Sequence, residues 1–251
     1  MEQMMHPYLP EPKNGVHYLT PPKTAFEEVY IRLRTKEQRV HDDAFVRQLP
    51  LVPKTHPHAR EWNMRRKTQE RFCAFLATKN KPSVVDIGCG NGWFTARMAP
   101  FTSEIIGVDV GTEELEQAAR CFGNELIKFV CCNDLELLPE AQFDCITFNA
   151  SIQYFEPTEA FWNSLFRLLK PGGEIHLLDS PIYKSTDQKG AKERTANYFN
   201  EQQEPAAQGY YFHLTWDDLP KNYSVHYRPN RLFKLLKNDS PFPWVVIKKD
   251  D

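Results

Sequence analysis

Residues 84–92 read VVDIGCGNG: an acid, Asp86, ends a β-branched run, and Gly88, Gly90 and Gly92 follow at alternate positions. Glycine there lets backbone approach a ligand closely. Three partners suit such a loop: a dinucleotide pyrophosphate, a phosphate, or a cofactor that has no phosphate. A dinucleotide loop reads G-x-G-x-x-G, and its third glycine lets the helix pack closely on the strand. Here that position holds Trp93, the bulkiest residue available. A P-loop needs Lys followed by Ser or Thr, and neither follows. Both phosphate readings are weak.

The elements around the loop say where it sits. From Lys81 onward, short β-branched runs alternate with helical patterns. SVVDI, EIIGVD, LIKFVCC, FDCITFN and EIHLLD read as strands. WFTARMA, EELEQAARCF, a short segment near LELLPE and PTEAFWNSLFRLL read as helices between them. That order implies a parallel sheet with helices on both faces. Ligands in such sheets bind beyond the C-terminal strand ends, where this loop lies.

Before the core, residues 26–48 read as helix broken once, and three prolines in PLVPKTHPH interrupt it. Residues 59–79 read as a second helix, with Trp62, Arg65, Gln69, Phe72, Phe75 and Leu76 on one side. Past Ser180, KSTDQKGAKERTANYFNEQQ reads as a polar helix. YYFHL, YSVHY and PWVVIKK read as strands, with one helical turn starting at TWDDL.

Length and composition set bounds. The 251 residues suit one α/β domain with an added cap or arm, and 41 % apolar with 25 % charged content is ordinary for a soluble globular protein. No stretch approaches a membrane-spanning run, so no membrane partner is expected. The opening MEQMMHPYLPEPKNG is expected to be an extended arm and not a secretory signal. The six cysteines form no C-x-x-C pair and no zinc spacing, so they read as buried, reduced thiols of a cytoplasmic protein with no metal site. Net charge is +5 over residues 1–80, −9 over 81–179 and +2 over 180–251. An acidic middle is a poor surface for nucleic acid phosphates.

VVDIGCGNG resembles motif I of the class I S-adenosylmethionine-dependent methyltransferases. IIGVDVG, CCNDLELLP, FDCITFNASIQYF and LFRLLKPGGEIHLLD follow in the family's order, and the resemblance covers about residues 60–180 well. It implies an α/β, Rossmann-like, doubly wound, seven-stranded, mostly parallel sheet with an N-terminal helical extension and a late lid insertion. Residues 1–58 would be the arm and helical extension. Residues 59–251 would be the methyltransferase domain, with its core at 81–180 and the lid and last strands at 181–251.

The resemblance also implies roles. S-adenosylmethionine would be the cofactor and S-adenosylhomocysteine the product. Gly88, Cys89 and Gly90 would lie under its amino acid part, with Asp86 meeting its ammonium group directly or through water. Asp109, 21 residues after Gly88, would accept from both ribose hydroxyls, with Val110 beside it. A NAD site uses the same device, so Asp109 does not separate the two cofactors. Asp134 would bind the adenine amine, with Leu135 packing. Asn149 and Ala150 would border the methyl group. Arg65 would hold the cofactor carboxylate through two parallel hydrogen bonds, and Trp62 and Arg66 lie near it in sequence.

On the acceptor side, Tyr154 is the candidate catalytic residue, orienting or facing the acceptor or packing as a buried ring. The histidine pair that many small-molecule members show near this point is missing. Nor does the stretch carry the motifs of amine or cytosine methylation. His176 alternates with apolar neighbours and reads as a core residue. Tyr210, Tyr211, His213 and Trp216 are candidates for the substrate wall, and Tyr18 and Tyr30 could fold over the same pocket. Thr112 is a helix-cap candidate. The reading is methyl transfer to a small-molecule acceptor, with RNA or protein methylation, or a non-catalytic cofactor-binding regulator, as alternatives.

Overall fold

The β-branched runs become adjacent strands because their side chains are buried on both faces of one sheet. The computed structural model describes residues 8–229 and 239–249. Residues 1–7 of the expected arm, and 230–238 and 250–251 of the expected lid and last strands, lie outside the described residues.

The N-terminal region supplies β1 (Val16–Tyr18), α1 (Thr24–Lys36), α2 (Asp43–Gln48) and α3 (Ala59–Leu76). The core follows as β2 (Ser83–Ile87), α4 (Trp93–Met98), β3 (Glu104–Asp109), α5 (Thr112–Phe122), β4 (Ile127–Cys131), β5 (Phe143–Asn149), α6 (Glu159–Leu168) and β6 (Leu169–Leu178). The last part holds α7 (Ser185–Glu201), β7 (Tyr223–Tyr227) and β8 (Trp244–Lys248).

The sheet runs β1-β4-β3-β2-β5-β6-β8-β7, and only β8 is antiparallel to its neighbours. Among the described residues eight strands stand where seven were expected. The addition is β1, which pairs parallel with β4, Val16 opposite Phe129. Three residues of VHY carry too short an alternation to read as a strand. Their pairing is decided by the open β4 edge.

Chain direction reverses at β2. The chain winds outward through β3 and β4, then returns to place β5 on the other side of β2. That switch opens a crevice at the C-terminal strand ends. Two apolar layers flank the sheet: Val84, Ile105 and Phe129 pack with α3 to α5, and Val85, Ile106, Ile146 and Phe148 pack with α6.

The helix expected over 26–48 is broken at residues 37–42, where Asp42 caps α2 by accepting from Phe45 N at 2.8 Å. Thr112 does not cap α5: it is already helical, and Glu27 from α1 reaches across to accept from Glu113 N at 2.7 Å. The strand expected at YYFHL does not form. Residues 205–210 make a tight helical turn, and the extended residues after it bond singly, Phe212 N to Gln153 O and Tyr183 N to Leu214 O. Among the described residues no strand runs alongside to give a ladder; a single parallel bridge joins Tyr183 to Thr215.

The third glycine of the loop does the close packing after all, one position earlier than in a dinucleotide loop. Gly92 has φ +72°, and a Cβ there would lie 2.7 Å from the Phe129 ring and 2.8 Å from Ala118. Trp93 beside it is buried edge-on against Trp62, with ring centroids 5.4 Å apart.

Candidate functional site

The rim at the C-terminal strand ends holds two adjoining cavities. The first, about 470 Å³, is lined by Gly88, Gly90, Asp109, Val110, Asp134 and Leu135. The second, about 360 Å³, is lined by Arg65, Cys89 and Asn149. Gly88, Gly90, Ala150 and Tyr154 belong to both. Of the twelve residues given cofactor or catalytic roles from sequence, eleven therefore gather on one rim.

The exception is Asp86. It is 1 % exposed and lines neither cavity. Its carboxylate oxygens accept from Thr95 Oγ1 at 2.6 Å and Thr147 Oγ1 at 2.8 Å. Burial raises its carboxyl to about 6. The Asp86 side chain thus joins β2 to α4 and β5 behind the cavity wall.

Asp109 is organised differently from the expectation. Oδ2 accepts from Gly90 N at 2.8 Å, and Oδ1 accepts from Val110 N at 2.7 Å and Gly111 N at 3.3 Å. A carboxylate has about four acceptor sites. One is used to pin the glycine loop through Gly90 and two close the turn that follows Asp109 itself, so about one faces the cavity. Asp134 also has a local task, accepting from Glu136 N at 3.0 Å to cap a short turn while exposed at the cavity wall. Arg65 Nε pairs with Glu61 at 3.0 Å, and its guanidinium lies over Trp62. Arg66 pairs with Glu70 away from the cavities.

Tyr154 stands at the junction. Edge-to-face contacts join it to Phe26 and Tyr30, each at 5.8 Å, and to Tyr211 at 6.0 Å. Burial raises its phenol above the usual tyrosine value. It therefore stays protonated near neutral pH and cannot serve as a proton-accepting base. It can donate a hydrogen bond and present a ring face.

Tyr30 lies over the cavities, whereas Tyr18 in β1 turns to Glu116. Tyr210 and Tyr211 line the rim cavities. His213 instead bonds Thr195, and Trp216 packs on Tyr223. His176 is fully buried, as its alternation suggested. It lies with Cys145 and Glu174 inside 4.8 Å, a grouping that could hold a metal. The tautomer argues otherwise. Trp244 Nε1 donates to His176 Nδ1 at 3.2 Å, so the other ring nitrogen carries the proton and faces Glu174. Glu174 is itself paired with Lys79 and Lys248.

Sequence reading missed Glu114. In the first turn of α5 it looks like an ordinary helix-start acid. The turn faces the rim, and a Cβ on Gly90 would lie 3.0 Å from Glu114 Oε2. Burial, with Asp109 nearby, raises the carboxyl to about 7 against opposing help from Arg34 and Tyr30. The sign follows. Between the ordinary value of 4.5 and about 7, the folded chain holds a proton that the unfolded chain releases. Stability from this group is complete below the lower value and lost as pH rises through the upper one, by about 3 kcal/mol. Urea denaturation at pH 5 and pH 8 should show Glu114→Gln gaining stability relative to the native chain at the higher pH. An equal difference at both pH values would refute it.

Charge around the larger cavity is one-sided even without Glu114: Lys23 against Glu27, Asp109 and Asp134. A pyrophosphate would meet net repulsion. A ligand bearing a sulfonium and an ammonium would not. At Gly88, φ is +71° and a Cβ would lie 2.5 Å from Ser151, so only glycine keeps backbone bare at this wall.

Residues 85–177 match a family model described as "Methyltransferase domain". An uncharacterized methyltransferase of Mycobacterium tuberculosis is 32 % identical over 93 residues, 37 % of this chain and 47 % of that protein. Malonyl-[acyl-carrier protein] O-methyltransferase of Enterobacter lignolyticus is 27 % identical over 122 residues, 47 % of each. The chain thus spans about half the length of these curated relatives. Geranyl diphosphate C-methyltransferase from Streptomyces coelicolor A3(2), solved with S-adenosylhomocysteine, superposes with TM-score 0.57 at 15 % identity, covering 92 % of this chain and all of that one. A putative methyltransferase from Bacillus halodurans gives 0.53 at 13 % identity, over 73 % of this chain and 99 % of its own. These last two likenesses are of fold. The family match runs from the glycine loop through β6, and that part of the chain is similar to a methyltransferase domain on a sheet of the corresponding build.

Proposed function

We propose that this protein transfers the methyl group of S-adenosylmethionine to a small-molecule acceptor and releases S-adenosylhomocysteine. The observation that carries the reading is the acidic cavity built on the glycine loop. When bound, the cofactor supplies a methyl group already activated by its sulfonium. Asp109 offers its remaining acceptor site to one ribose hydroxyl, which revises the expected pair. Asp134 and Leu135 flank the adenine end. Gly88, Cys89 and Gly90 lie under the methionine part, with Arg65 toward its carboxylate. Asn149, Ala150 and Tyr154 border the reacting centre.

The chemistry is an in-line displacement. An acceptor lone pair forms the new bond to carbon, and the carbon–sulfur pair stays on sulfur. Alignment supplies much of the rate. A proton leaves the acceptor only if the acceptor starts neutral, and Tyr154 does not take it. A small acceptor is favoured by the way α1 and α7 close over the rim, and geranyl diphosphate C-methyltransferase, by its name, acts on a small molecule. The acidic core disfavours RNA.

Calorimetry with S-adenosylmethionine, S-adenosylhomocysteine and NAD separates the readings. Binding of the two adenosyl ligands without NAD is expected. NAD binding alone would overturn the proposal, and cofactor binding with no turnover on any acceptor would favour a regulatory protein.

A further inference from the structure

A third cavity, about 270 Å³, opens between α1, α7 and the turn at residues 205–210. Tyr154 lines it as well as both rim cavities, so its inner end meets the expected position of the methyl group. Its walls are rings and aliphatic side chains, among them Phe26, Leu33, Tyr183 and Phe199. The volume is below the usual range for ligand pockets, roughly 300–1,000 Å³.

Its charge differs from that of the acidic cofactor cavity. Arg34, Arg194 and Glu37 are the charged lining residues. Glu37 is already engaged, by Arg34 at 3.4 Å, by Arg39 at 3.2 Å and by the Tyr198 hydroxyl. Arg34 keeps a buried Nε with no hydrogen-bond partner. Arg194 is exposed on α7 and makes no ion pair among the described residues. Two guanidinium groups thus stand on a ring-lined cavity whose one lining carboxylate, Glu37, is shared among three partners, while Glu114 faces Arg34 from the rim side.

Building on the methyltransferase reading, we propose that this cavity is the acceptor site and takes a ring-sized apolar molecule bearing one oxyanion, carboxylate or phosphate, held by Arg194 and Arg34. The apolar body lies among the rings, with the reacting atom toward Tyr154. The guanidinium fork pairs with a planar carboxylate or a phosphate in two parallel bonds.

The test uses full-length protein saturated with S-adenosylhomocysteine, a step that itself reports on the cofactor reading. Phenylacetate, phenyl phosphate, phenylacetamide and phenethylamine are then titrated by calorimetry. At least one anion is expected to bind about tenfold more tightly than the amide, since one charge-assisted pair is worth that much. The tighter of the two anions identifies carboxylate or phosphate. Arg194→Gln, at an exposed position, is expected to remove about that advantage and leave cofactor affinity unchanged. Equal binding of amide and anions, preference for the amine, no effect of Arg194→Gln, or no probe binding to cofactor-loaded protein each overturns the proposal. If S-adenosylhomocysteine itself fails to bind, the methyltransferase reading falls instead.

Discussion

Asp109→Ala should lower affinity for S-adenosylhomocysteine at least tenfold and cost about 2–4 kcal/mol of stability. Two losses are combined. The ribose loses an acceptor, and the backbone N–H groups of Gly90, Val110 and Gly111 lose theirs. Each orphaned buried donor costs about 1–3 kcal/mol, less where water enters. From sequence the carboxylate reads as an acceptor for the ribose hydroxyls. The structure makes it the pin of the loop as well. A domain with the usual stability of about 5–15 kcal/mol remains folded, so both effects are measurable. Calorimetry and urea denaturation on the same variant read them separately. Affinity within twofold of the native protein would remove Asp109 from the cofactor site, whatever the stability change.

The second large effect is structural. Gly92→Ala should cost about 2–5 kcal/mol: about 1–2 for a left-handed residue with a side chain, and about 1–3 for overpacking. The new methyl would lie 2.7 Å from the Phe129 ring and 2.8 Å from Ala118, both in the core. Neither neighbour is a flexible tip that can swing aside. The urea midpoint should fall with its slope unchanged. A loss below about 0.5 kcal/mol would mean that α4 shifts freely on the sheet, and would contradict the packing described.

Much of the fold was legible because it rests on short-range pattern. SVVDI and FDCITFN form the strands their β-branched runs predicted, and the helix over 112–122 lies where its apolar period placed it. The misreadings share a cause: the deciding partner is far away in sequence. β1 is a strand because the β4 edge is open to it. α5 is capped by Glu27, 86 residues earlier. YYFHL has strand composition but no neighbour to pair with.

The site divides the same way. The glycine loop, Asp109 and Asp134 were visible because motif and strand order place them together. Glu114, Arg34 and Tyr30 were not read as one group, because only the docking of α1 over the rim joins them. Asp86 shows the reverse situation. Its place in the motif is right, but its side chain is committed to two threonine hydroxyls that the linear sequence does not assign to it.

The three residues of β1 have a consequence for how the molecule behaves among its own copies. A parallel strand left open at a sheet margin is a row of unpaired amides and carbonyls, a template on which another chain can grow. β1 occupies that margin on β4. At the opposite margin stands β7, whose pairing with β8 slips between Val225 and Tyr227. A bulged, half-exposed strand is a poor template. The short N-terminal pairing therefore covers part of the β4 edge, and among the described residues the sheet leaves no long, regular margin open.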